Sequence, residues 1–176
     1  QFLCFERYDL QYPTKECSKS LAQPSSKDET ANKDVVRYLK GTQDVQLYLV
    51  VPKTLREHEL YQVKVYVDSN WGPEEDPLRR STSCVTVRVA LFCLLTRSIT
   101  QSVIAQSSGE AEYVATASGS CEGIFARHVL NEIFHTSKFH LKMFTDSSAC
   151  RGIANRTGVG KIRHLDLKML FVQQLV

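Results

Sequence analysis

No stretch of the 176 residues approaches the roughly 20 consecutive apolar residues that a membrane-spanning helix needs. The start, Gln1-Phe2-Leu3-Cys4, has neither an initiator Met nor a charged region leading into an apolar run, so the chain reads as an internal piece of something longer. Thiol and imidazole clusters are missing too. Cys4, Cys17, Cys84, Cys93, Cys121 and Cys150 form no CxxC pair, and His58, His128, His135, His140 and His164 show no HExxH spacing. Neither a structural zinc site nor a small disulfide framework is indicated, which leaves reduced thiols in an intracellular protein, cytoplasmic or nuclear. There is no internal repeat and no low-complexity tract.

What is present is an ordinary globular composition. Hydrophobic residues make up 43% and charged ones 23%, enough to bury a core in one domain or one domain plus part of another. The net charge of +3 is uneven, with two acids and seven bases in residues 137–176 against eight acids and six bases in 61–136. A basic segment beside an acidic middle suits a phosphate backbone held next to carboxylates, and equally an ordinary solvated surface.

Element signals divide the chain. Thr14 to Gln23 predicts a helix ended by Pro24, and Ser25-Ser26-Lys27-Asp28 opens a second that stops at Gly41. The run VQLYLVV within Asp44 to Val51 predicts a strand closed by Pro52, and the polar stretch from Pro52 to Leu60 predicts a boundary. Beyond it, QVKVYVD, VTVRVALFCLL and SITQSVIAQ predict three strands of an antiparallel meander. A helix follows over 107–135, with Val114, Ala117, Cys121, Ile124, Phe125, Val129 and Ile133 as its apolar stripe. FHLKMFT then predicts a strand, SSACRGIANR a helix start, and His164 to Val176 a last amphipathic helix.

Carboxylates stand out at the ends of these runs. Asp68 and Asp146 each close a β-rich segment, where mixed sheets expose side chains on rigid supports, although strand-end Asp residues are also common turn formers. In SSGEAEYVATASGS, Ser107 and Glu110 fit a capping box, which leaves Glu112 without a local role. Its neighbours one and two turns on are Ala115, Thr116 and Gly119, a stripe small enough to let the helix lie close to a sheet or to a sugar-phosphate chain. Three acids brought together repel one another unless a cation neutralises them, so the trio implies oxygen-ligated Mg²⁺ or Mn²⁺.

Taken in order, YVDSNW, RRSTS, SSGEAEYVA, FTDSSACRGIA and GKIRHLDLK resemble the ribonuclease H domain of copia-type LTR retrotransposon polyproteins. The upstream YDLQYPTKECSKSLAQP and RYLKGT look like the tail of the reverse transcriptase that precedes it. The resemblance implies two parts: residues 1–55, a helical reverse-transcriptase tail, and 61–176, an RNase H-like α/β domain. The latter is expected to be a mixed sheet whose first three strands are antiparallel, flanked by helices, with a fifth strand and a following helix beyond Val176. It further implies that Asp68, Glu112 and Asp146 ligate two Mg²⁺ or Mn²⁺ ions that cut the RNA strand of an RNA/DNA hybrid, with Asp166 as a further candidate ligand. Ser147, Ser148, Arg151, Arg156, Lys161, Arg163 and His164 become candidates for nucleic-acid contact. Expected partners are the hybrid and the reverse transcriptase of the same polyprotein, with no membrane. Three positions depart from the family: Asn70 for a second Asp, Cys84 for a Gly, and Leu95-Thr96-Arg97 where Trp-Ser is common. A decayed fragment that binds nucleic acid without cutting it is the alternative.

Overall fold

In the computed structural model, the described residues are 2–48, 53–54, 56–74, 76–158, 160 and 167–175, and the side chains of 167 and 168 are not described. The chain divides into two compact units, Gln1–Val50 and Val51–Val176. Among the described residues no helix is long and apolar enough to cross a membrane.

The first unit is helical. Short 3₁₀ segments at Phe2–Phe5 and Tyr8–Leu10 lead into α1 (Gln11–Ser18), and α2 runs Ser26–Gly41. The polar start at Ser25 is a full capping box: the Ser25 hydroxyl accepts from Asp28 N–H, and Asp28 accepts from Ser25 N–H at 2.7 Å. Residues 45–48 are irregular, so the strand expected from VQLYLVV is not formed there, and the rest of that run lies outside the described residues. Among the described residues of the run, Val45, Leu47 and Tyr48 are exposed and lie in no strand.

A polar knot closes this unit. Arg7 grips Asp9 with two hydrogen bonds of 3.0 and 2.7 Å and donates to both oxygens of Thr42, just past the end of α2. Tyr38 donates to Asp9 at 2.8 Å. The Arg7 guanidinium holds the Asp9 carboxyl down at about 2. A carboxyl lowered on folding adds stability above its ordinary value of 3.8, and that stability drains away as pH falls toward the folded value. Acid titration followed by far-UV circular dichroism is therefore expected to show helix loss between about pH 4 and pH 2 that Asp9→Asn removes. The group is partly exposed, so solvent screening keeps the effect small.

The second unit opens with one turn of helix, α3 (Glu57–Leu60), inside the stretch expected to be a polar boundary. Strands β1 (Gln62–Asn70), β2 (Thr82–Val89), β3 (Phe92–Thr100) and β4 (His140–Phe144) form one mixed sheet in the order β3-β2-β1-β4. β1, β2 and β3 are antiparallel neighbours, and β4 lies parallel to β1. This is the α/β arrangement expected of an RNase H-like fold. Alternation explains the strands: Val63, Val65 and Val67 of β1 and Val85, Val87 and Val89 of β2 point into one core, and intervening residues face the other way.

The meander's second turn falls where no sequence signal marks it. VTVRVALFCLL is not one strand: the chain reverses at Ala90-Leu91, with Ala90 at φ +52°, and β3 then runs on through Thr96-Arg97, where a connection is expected. Two-residue hairpin turns need positive φ and usually recruit Gly or Asn, so an Ala-Leu turn between apolar runs reads as continuous strand. Leu94 is the extra residue of a bulge opposite Val87 and Arg88.

Helix α4 (Ser108–Ile133) covers the valine face, and α5 (Ser148–Ala154) and a 3₁₀ segment at Leu167–Gln174 pack on it. The predicted stripe on α4 is only half right. Val114 and Ala117 are buried, but Phe125, Val129 and Ile133 are 67%, 37% and 62% exposed, and Cys121 is exposed. The face that meets the sheet carries small residues instead. A Cβ on Gly119 would sit 2.4 Å from Val67 Cγ1, and one on Gly123 would sit 2.5 Å from Leu141 Cδ1 and 2.6 Å from Val65 Cγ2. A hydropathy stripe follows large side chains, whereas close helix-to-sheet contact selects the smallest. Near the C-terminus the expected α-helix is a 3₁₀ segment whose buried residue is Val172, which completes a cluster with Tyr113, Cys150 and Ile153.

Candidate metal centre

Asp68, Glu112 and Asp146 each offer a carboxylate oxygen, and these oxygens all lie within 4.8 Å of one another. Three separate elements deliver them. Asp68 lies within β1 opposite Cys84 of β2, two residues before the strand ends, so it is not a turn former. Asp146 follows β4 by two residues, ahead of α5. Glu112 comes from the first turns of α4.

Ser69 joins two of the three. Its backbone N–H donates to Asp68 Oδ1 at 2.8 Å and to Glu112 Oε1 at 3.1 Å, while its hydroxyl donates to Glu112 Oε1 at 2.9 Å. No feature of the sequence singles out Ser69, because its role depends on a helix 43 residues away. The other Glu112 oxygen, Oε2, is buried and has no hydrogen-bond partner among the described residues. Burial pushes the Glu112 carboxyl above its usual range, with repulsion from Asp68 and Asp146 acting the same way and the Ser69 bonds opposing it. Among the described residues no salt bridge engages any of the three acids. An orphaned carboxylate oxygen facing two further carboxylates fits a hard, oxygen-seeking cation such as Mg²⁺ or Mn²⁺.

The start of α4 is fixed by residues around Glu112. The Ser107 hydroxyl accepts from Glu110 N–H at 3.2 Å, and Glu110 reaches back to Gln106 N–H at 2.8 Å, one residue upstream of the position a standard capping box uses. Glu110→Ala is expected to cost about 1–2 kcal/mol in urea denaturation, since it removes a buried helix-start bond rather than a ligand. Gln101, also unmarked in the sequence, donates to Ser83 Oγ at 2.9 Å and to Ala111 carbonyl at 2.8 Å, tying β2 to the first turn of α4. Gly109 lets α4 approach Ala149 of α5, where a Cβ would come within 2.8 Å, and Thr116 meets Cys150 at 3.2 Å. These contacts set the distance between Glu112 and the segment that carries Asp146.

The remaining candidates fall into two groups. Ser147 is the N-cap of α5, its hydroxyl accepting from Cys150 N–H at 3.1 Å, and Ser148 and Arg151 are exposed on that helix. Arg156 follows α5 and has its Nε buried. Lys161, Arg163, His164 and Asp166 lie outside the described residues. Cys84 keeps its ladder position beside Asp68, and Asn70 ends β1 opposite Thr82. Leu95 packs against the valine core and Arg97 pairs with Glu122 of α4, so Leu95-Thr96-Arg97 is accommodated in β3.

The same site can be set against known proteins. Over 177 aligned residues the chain is 28% identical to the retrovirus-related Pol polyprotein from transposon RE2 of Arabidopsis thaliana, a match covering 100% of this chain. The chain is similar to a transposon Pol polyprotein. A second, the retrovirus-related Pol polyprotein from transposon RE1 of the same plant, is 29% identical over 133 residues, 76% of this chain. The chain spans only 12% and 9% of the length of these two relatives. No family profile and no solved structure matches it. The similarity supports a retroelement origin, and the carboxylate trio lies within the stretch matched by the RE2 polyprotein.

Proposed function

We propose that the second unit is an RNase H-type endonuclease of a retrotransposon polyprotein, hydrolysing the RNA strand of RNA/DNA hybrids during reverse transcription, and that the first unit is the tail of the adjoining reverse transcriptase. One observation carries the reading: three carboxylates from β1, α4 and the segment after β4 converge, and a buried oxygen of Glu112 has no partner. Asp68, Glu112 and Asp146 would hold two Mg²⁺ or Mn²⁺ ions, which when bound lower the pKa of the attacking water and stabilise the leaving 3′ oxygen. The chain's own part is to hold negative charge in fixed places. Ser69 locks Glu112 and Asp68 in one orientation, and burial withdraws Glu112 from competing water. Asp68 and Asp146 are exposed, so a phosphodiester can reach them from solvent.

The test is cleavage of a labelled RNA/DNA hybrid by the full chain in Mg²⁺ or Mn²⁺. Shortened RNA with an intact DNA strand is expected, and none from Asp68→Asn. Hybrid binding without cleavage by the parent chain would contradict the enzyme reading and leave a nucleic-acid-binding fragment.

A further inference from the structure

Two side chains from the sequence motifs stand near the metal centre without entering it: Trp71, which closes YVDSNW, and Arg79, which opens RRSTS. The fold brings them together on the connection from β1 to β2. Gly72 N–H donates to Ser81 Oγ at 3.2 Å and closes the base of this loop. Arg79 folds back over Gly72, where a Cβ would stand 3.8 Å from Arg79 Nε. The guanidinium therefore lies beside the residue that follows Trp71. Gly72 is four residues from Asp68, no more than about 13 Å along an extended chain.

Each of the two side chains is held in place and left open. Trp71, the one tryptophan of the chain, is 50% exposed. Its indole N–H donates at 2.9 Å to the carbonyl of buried Ala105, two residues before the Ser107 cap of α4, so the ring is anchored by its polar edge while half its surface faces solvent. Inside the loop, buried Asp76 accepts from the backbone N–H groups of Leu78 and Arg80 and from the Arg80 guanidinium, which commits Arg80 to the loop itself. Arg79 is turned outward. Its side chain is 60% exposed, and the acid paired with it among the described residues is Glu74, 4.0 Å away and itself 91% exposed, a contact too long and too wet to neutralise it. Arg79 also sits at φ +52°, a strained region for a residue with a side chain, so the loop bears a cost in presenting this guanidinium. The free edges of the sheet are β3 and β4, and the loop leaves the ends of the two strands between them, so a strand added at either edge would not run across it.

We propose that Trp71 and Arg79 form a subsite for the sugar-phosphate backbone of the hybrid, with the ring against a sugar and the guanidinium on a phosphate within about four nucleotides of the one that is cut, at about 3.4 Å per nucleotide. A polyanion that approaches three carboxylates needs positive charge beside them, and Arg79 supplies it. The planar guanidinium suits phosphate oxygens. In a paired strand the bases are stacked on one another, so a flat ring at the surface meets the C–H face of a sugar instead. The subsite rests on the endonuclease reading for its substrate. It needs no metal, however, so hybrid binding without metal tests it apart from cleavage.

The experiment follows the fluorescence of Trp71, which no other tryptophan obscures, as a fluorescein-labelled RNA/DNA hybrid of about 16 base pairs is added to the full chain in EDTA across about 50 to 200 mM salt. Saturable quenching is expected, with the same midpoint as the anisotropy of the label. By anisotropy, Arg79→Gln should bind about threefold or more weakly, and its slope of log K against log salt should fall by about 0.9, the share of one phosphate. Trp71→Leu should weaken binding about fivefold at unchanged slope, whereas Trp71→Phe, which keeps a flat ring and loses the N–H anchor, should bind nearly as the parent does. An anisotropy change with Trp71 fluorescence unaltered, a salt slope in Arg79→Gln equal to the parent's, or equal losses in Trp71→Leu and Trp71→Phe each overturn the proposal, the last because the ring would then act only through Ala105. Absence of hybrid binding by the parent at the lowest salt overturns it as well. A parent chain that shows the quenching yet leaves the RNA uncut in Mg²⁺ supports the subsite and contradicts the endonuclease reading.

Discussion

Glu112→Gln is expected to lower hybrid cleavage by at least about a hundredfold to a thousandfold and, in EDTA, to raise the melting temperature. Both effects have one origin. In the ordinary protein a carboxylate with a buried, partnerless oxygen faces two more carboxylates, an arrangement that burial and repulsion both oppose. A neutral amide of the same shape relieves that opposition while keeping an oxygen to accept from Ser69. What it loses is charge at the point where a divalent cation has to be held. The melting temperature of the unaltered chain should therefore rise when Mg²⁺ or Mn²⁺ is added, by an amount equivalent to about 2.7 kcal/mol at a hundredfold excess over Kd, and that of Glu112→Gln should respond far less. Differential scanning fluorimetry with and without metal checks both halves. A Glu112→Gln protein that melts lower in EDTA would mean that the carboxylate is a structural group.

Gly119→Ala is the second substitution with a large expected effect, and its sign is not obvious. Exchanging Gly for Ala inside a helix normally gains about 1 kcal/mol. Here the new Cβ would stand 2.4 Å from Val67 Cγ1 and 3.2 Å from Val65 Cγ1. Both neighbours are β-branched side chains of a central strand, with little freedom to move aside. Overpacking of this kind typically costs about 1–3 kcal/mol and often more when the backbone has to shift, so the clash is expected to win. Relief comes most easily by lifting α4 off the sheet, which carries Glu112 away from Ser69 and Asp68. Loss of stability in urea and loss of cleavage should thus appear together, unlike in Glu112→Gln. Gly123→Ala meets Leu141 and Val65 in the same way and should behave alike, whereas Gly152→Ala, with nothing within 4 Å, should leave both properties nearly unchanged.

These two substitutions also mark what can be read from residues in order along the chain. The trio itself is legible, because each acid sits beside a recognisable run: Asp68 in YVDSNW, Glu112 in SSGEAEYVA and Asp146 in FTDSS. The sheet is legible where alternation is strict, as in QVKVYVD, which forms β1. It is hidden at Ala90-Leu91, where backbone strain does what Gly or Asn usually does and leaves no compositional mark. The small residues of α4 read correctly as clearance, yet the stripe of large residues points to the core, and Phe125 and Ile133 stand in the open. Periodicity reports which residues share a face, and only the partner surface decides which face is buried. Ser69 and Gln101 are invisible for a further reason. Each is an ordinary polar residue whose importance lies in a bond to an element far away in sequence.

The most direct test of the central claim is Mn²⁺ binding followed by electron paramagnetic resonance, with the free-ion signal titrated against the unaltered chain, Asp68→Asn, Glu112→Gln and Asp146→Asn. The account predicts saturable uptake by the unaltered chain, displaced by Mg²⁺, and a marked weakening in each of the three variants although all three remain folded. Equal uptake by the unaltered chain and the Glu112→Gln variant would contradict it.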